Sequence, residues 1–140
     1  MNLKPGGKLK MGPLWDFDLG FGGYPTEWGE VANAINNPEG FHIKLVSWYN
    51  RLFQDPVFLS KVKERFGYFY LNRQSFFDHI DSEAALLIDK IVEENKLWGR
   101  LAATNAASDE VKDAYQEKVN ELKDWLNTRL EWLNTALNAL

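Results

Sequence analysis

The chain has 140 residues, enough to bury one core, and its 45% apolar and 26% charged content is that of a folded domain rather than a disordered tail. With 20 acidic against 16 basic residues the net charge is −4, which argues against a nucleic-acid partner, and the lack of cysteine excludes a disulfide framework or a thiolate metal site. No apolar run approaches the roughly 20 residues that span a bilayer, and Met1-Asn2-Leu3-Lys4-Pro5 lacks the apolar stretch of a secretory signal, so any export signal is expected outside this chain.

One domain is expected over 1–140, organised as a hairpin with an acidic motif at 1–19, an irregular loop at 20–41 and a helical bundle at 42–140. The hairpin reads as Asn2-Leu3-Lys4, the turn Pro5-Gly6-Gly7, and Lys8-Leu9-Lys10-Met11. It leads into Leu14-Trp15-Asp16-Phe17-Asp18-Leu19. If that segment stays extended, its period of two sets Asp16 and Asp18 on one face and Trp15, Phe17 and Leu19 on the other. Two carboxylates so placed repel unless they share a cation, and Mg²⁺ takes oxygen ligands of this kind. The competing reading has the aspartates cap a turn and a helix start.

Glycines and prolines among Tyr24, Trp28 and Phe41 make 20–41 irregular, with a short helical turn near Glu27 to Ile35. Trp28, in this loop, is the tryptophan best placed to meet a ligand. From His42 onward the pattern is helical. A first helix over Ile43 to Gln54 carries Leu45, Trp48, Tyr49, Leu52 and Phe53 as its apolar stripe. It stops at Asp55-Pro56, because the residue before proline disfavours helix. Asp55 then caps a second helix that opens on Pro56, buries Phe58, Leu59, Val62 and Phe66, and ends near Gly67. A third runs from Ser75 to Lys96 with Phe76, Ile80, Ala84, Leu87, Ile88 and Ile91 inward. The last begins after Ser108-Asp109 and keeps a stripe from Val111 through Tyr115, Val119, Leu122, Leu126, Leu130 and Leu133 to Leu137. A dimerising coiled coil would use the same stripe, but Tyr115, Trp125 and Trp132 suit globular packing better than a narrow seam. His79 has Glu83 one turn away, a spacing that serves a surface pair as well as a metal. Neither His79 nor His42 sits one helical turn from a second imidazole, and no Ser-His-Asp set is apparent.

A hairpin ending in apolar-Asp-Phe is how protein kinases deliver their Mg²⁺-binding aspartate, although Asp18 here occupies the place of the usual glycine. Four ordered blocks sharpen the comparison: Gly7-Lys8-Leu9-Lys10-Met11-Gly12-Pro13-Leu14-Trp15-Asp16-Phe17-Asp18; Trp48 to Phe58 continuing into Lys61-Val62-Lys63-Glu64-Arg65-Phe66; the acidic-alanine run Asp81 to Ala85; and Leu122 to Leu133. Together they resemble the spore coat protein H (CotH) kinase family. The resemblance implies a mainly α fold, part of the C-lobe of an atypical protein kinase: about four helices behind the short N-terminal β-hairpin. It implies a secreted, cell-surface or spore-coat enzyme that moves phosphate from ATP to serine or threonine of surface or coat proteins. It further implies Mg and ATP as cofactors, Asp16 as the metal-binding aspartate, Asp18 as a supporting carboxylate, and Trp15 and Phe17 as support for the nucleotide site.

The chain departs from a whole kinase in two respects. It has no glycine-rich loop ahead of a lysine strand and no catalytic-loop aspartate followed by an asparagine. Gly20, Gly22 and Gly23 follow the aspartates and lack phosphate-cradle spacing. The expectation is therefore the C-terminal portion of a larger kinase-like protein, with the rest of that protein as its partner. Alone, it is expected to be inactive and to hold neither Mg nor ATP tightly. The alternative is a non-catalytic helical module that binds a surface protein or a glycan through its aromatics.

Overall fold

A computed structural model describes residues 18–140 together with Gly7. The described residues are mainly helical and contain no strand. The hairpin expected near the N-terminus lies, apart from Gly7, outside the described residues. The chain groups into two compact units, Met1–Asn37 and Pro38–Leu140.

In the first unit, 3-10 turns at Asp18–Phe21 and Thr26–Trp28 precede helix α1, Glu30–Asn36. The expected helical turn is thus divided at Gly29, whose φ of 64° and ψ of −132° suit glycine alone. The Asn36 side chain ties the loop back to α1: its amide oxygen accepts from the Tyr24 N–H at 2.9 Å, and its amide nitrogen donates to the Tyr24 carbonyl at 3.0 Å. Ala32, on α1, is fully buried.

The second unit begins with a 3-10 turn at His42–Leu45, then α2 (Ser47–Leu52), α3 (Pro56–Leu71), α4 (Gln74–Trp98) and α5 (Ser108–Asn138). The single helix expected over 43–54 is broken at Val46, which is extended with ψ 125°. Branched Ile43 and Val46 fit a helix less well, and no side chain caps α2 to offset that. Its stripe does not face a core either. Leu45 is 82% exposed, and Trp48 and Leu52 are also exposed; only Tyr49 and Phe53 are half-buried.

Asp55 and Pro56 behave as expected. The Asp55 carboxylate accepts from the N–H groups of Val57 at 2.7 Å and Phe58 at 3.1 Å, filling the open end of α3. Asp55→Ala is expected to lower stability by about 1 kcal/mol in urea unfolding, while Asp55→Asn recovers most of it. The helix does not stop at Gly67 but continues to Leu71. An interior glycine costs only about 1 kcal/mol, too little to end a helix whose Phe58, Leu59, Val62 and Phe66 are all half-buried on one side.

The inward face of α4 passes through Phe77, Ile80, Ala84, Ile88, Ile91, Val92 and Asn95. Phe76 and Leu87, expected inside, are exposed because the face follows 3.6 residues per turn and leaves both to its sides. The α5 stripe stands as expected: Val111, Val119, Leu130 and Leu137 are buried, and Tyr115, Leu122, Leu126 and Leu133 are half-buried. Helix α5 packs against α4 and α3. Its pairing with α4 is antiparallel, since Lys112 reaches Asp89 at 3.1 Å whereas Lys123, further along, reaches back to Asp81 at 2.7 Å. These exposed pairs fix register more than they stabilise.

Candidate functional site

The acidic motif sits at the edge of the described residues. Trp15, Asp16 and Phe17 lie outside them, and Asp18 is the first residue of the 3-10 turn Asp18–Phe21. That turn is followed by Gly22, whose φ of 81° lets the chain reverse where a side chain would strain it. Trp28 ends the next turn. It is 55% exposed, and its ring meets Tyr24 edge-on at 5.3 Å. Among the described residues, no three histidine, aspartate or glutamate side chains gather around a common point that a metal ion could occupy. His79 and Glu83 are a solvent-facing pair at 3.9 Å.

Within the second unit, polar and aromatic groups converge where α5 meets the segment leading into α2. Arg129 donates through Nη1 to the carbonyls of Pro38 and Gly40, each at 2.7 Å, and its guanidinium lies 5.3 Å from the Trp132 ring. Burial pulls its pKa below the ordinary arginine value. From Trp132 a chain of edge-on rings runs to Phe41 at 5.5 Å, on to Phe53 at 5.8 Å and on to Phe58 at 5.5 Å. The Lys44 ammonium stands 5.5 Å from both Phe41 and Phe53. Trp132 and Trp125 are each half-buried, in accord with their expected place beside the leucine stripe.

On α5, Glu131 receives the Tyr70 hydroxyl at 2.6 Å and lies 3.8 Å from Arg73, whose guanidinium covers the Tyr70 ring at 4.3 Å. The hydrogen bond to Glu131 holds the Tyr70 phenol above its ordinary pKa. The neutral phenol is the favoured partner in the folded state. Its contribution is therefore complete below the unfolded tyrosine value and disappears as pH rises through the folded one. Glu131→Gln is expected to lower the Tyr70 midpoint in an ultraviolet pH titration; an unmoved midpoint would separate the two groups.

Sequence reading missed Arg129, the Tyr70–Glu131 pair and Asn95. A signal existed for two of them. Arg129 adjoins Leu130 and lies three residues before Trp132 on the inward side of α5, and Asn95 falls on the apolar phase of α4 just ahead of Gly99. Tyr70 and Glu131 are 61 residues apart, and no local pattern links them.

The family model described as CotH kinase protein matches residues 2–133. The chain therefore belongs to the CotH kinase family, as the ordered blocks implied. No curated protein and no solved structure matches it.

Proposed function

We propose that this chain is the C-terminal portion of a CotH-type atypical protein kinase, contributing the metal-binding aspartates and the helical body of the large lobe. The family match over residues 2–133 carries this reading.

The donor set fits the family's cofactor. Asp16 and Asp18 offer carboxylate oxygens, and Mg²⁺ is commonly held by one or two carboxylates together with substrate phosphates. Bound there with ATP, the cation would supply charge neutralisation at the phosphate oxygens during transfer to a serine or threonine hydroxyl. Asp16 would hold the cation, Asp18 would add a second carboxylate, and Trp15 and Phe17 would support the nucleotide site. The glycine-rich loop, its lysine and the catalytic-loop aspartate must come from elsewhere in the parent protein. This chain alone is accordingly inactive and binds nucleotide weakly.

The deciding experiment places the natural upstream sequence ahead of this chain and follows Mg²⁺-dependent transfer of phosphate from ATP to serine and threonine of coat or surface proteins. Transfer supports the reading; a folded, extended protein that never transfers phosphate overturns it. A second reading, a non-catalytic module for a surface protein or glycan, draws on the exposed Trp28 and Trp98. It predicts saturable glycan or protein binding by the isolated chain, indifferent to ATP and quenching tryptophan fluorescence.

A further inference from the structure

The outer side of α3 gathers three basic side chains within five residues. Several basic side chains on other elements are held in ion pairs: Arg73 with Glu131, Lys90 with Glu93, Lys112 with Asp89, Lys118 with Glu121, and Lys123 with Asp81. Lys61, Lys63 and Arg65 have no carboxylate within ion-pair distance among the described residues. They line an open groove of about 770 Å³, with Glu64 as its one acid and with Tyr68 and Leu71 as its apolar wall. Tyr68 is 56% and Leu71 79% exposed. Arg65 is braced against two rings, 5.2 Å from Tyr68 and 4.9 Å from Phe69, so its guanidinium is held in place before any ligand arrives. Gly67 also lines the groove, and a Cβ there would meet nothing within 4 Å.

We propose that this face of α3 docks an acidic peptide segment, its carboxylates on Lys61, Lys63 and Arg65 and an apolar side chain against Tyr68 and Leu71. This interaction is separate from the proposed phosphoryl transfer. Charge complementarity selects the occupant: three unpaired bases on a chain of net charge −4 form a local positive site on an acidic protein. An anionic membrane fits less well. Such a surface is attracted by a broad basic area, whereas here Glu64 interrupts the groove and the molecule as a whole is acidic.

Fluorescence anisotropy with the 140-residue chain tests this, using a short labelled peptide of alternating glutamate and leucine and its glutamine counterpart. Saturable binding of the glutamate peptide is expected, about tenfold weaker for the glutamine peptide and for the double variant Lys61→Glu with Arg65→Glu, and weakened by about 0.5 M salt. Gly67→Leu is expected to reduce binding by filling the groove without lowering the melting temperature, because leucine is the better helix former and the space around Gly67 is open. Equal binding of the two peptides, or unchanged binding in both variants, overturns the proposal. So does uptake onto phosphatidylserine vesicles in preference to the peptide.

Discussion

Asp16→Ala in the upstream-extended protein is expected to cut phosphate transfer about 1000-fold, equivalent to about 4 kcal/mol of transition-state stabilisation. The size follows from the chemistry. Phosphoryl transfer depends on positioning and on charge stabilisation around the phosphates, so on the proposed assignment losing Asp16 would remove the carboxylate that would hold the cation there. Asp18→Ala, at the proposed supporting position, is expected to cost less and to weaken the apparent Mg²⁺ affinity. Single-turnover transfer measured across a Mg²⁺ series distinguishes the two roles: excess Mg²⁺ recovers activity in the Asp18 variant and not in the Asp16 variant. Transfer undiminished by Asp16→Ala would remove that residue from the mechanism while leaving the family assignment untouched.

The largest effect on stability is expected at Asn95. This side chain is 1% exposed and organises the connection between α4 and α5. Its amide oxygen accepts from the N–H of Leu101 at 2.9 Å and of Ala102 at 3.2 Å, and its amide nitrogen donates to the carbonyls of Ala102 and Ala103, both at 3.2 Å. No buried side-chain nitrogen or oxygen is left unsatisfied among the described residues. Asn95→Ala deletes both halves of the clasp and leaves four backbone groups without their partner. The expected loss is about 3 kcal/mol, or about 10 °C in melting temperature for a chain of this size.

Asn95→Asp is a stricter test, because it preserves shape. Its carboxylate still accepts from the two N–H groups but faces the Ala102 and Ala103 carbonyls with no proton to offer. That variant is expected to be destabilised at neutral pH and to recover as acid protonates the new group. Gly99 contributes to the same junction. Its φ of 57° is left-handed, its N–H donates to the Asn95 carbonyl at 2.8 Å, and a Cβ there would press on the Thr104 methyl at 3.1 Å.

The legible parts of the fold were those that neighbours in sequence decide. Asp55-Pro56 marked a helix boundary because proline restricts the residue before it and a carboxylate satisfies the N–H groups just after it. The α5 stripe was readable over its whole length because one periodic face meets α4 and α3 along a long, regular helix. Short elements were harder. Six residues of α2 cannot carry a stripe, and the apolar side chains assigned there mostly face outward. Gly67 was misread because a local penalty was set against packing that extends along the whole of α3.

The sequence by itself therefore determined the family, the order of the helices and the phase of the longest one, since motifs and periodicity reside in residues close along the chain. Tertiary structure alone decided the clasp of Asn95 on its loop, the Tyr70–Glu131 bond and the hold of Arg129 on carbonyls 89 and 91 residues away. The physical reason is that a polar group's partner is chosen by what folding brings beside it. Whether an apolar residue is buried is likewise fixed by the helix that lands against it.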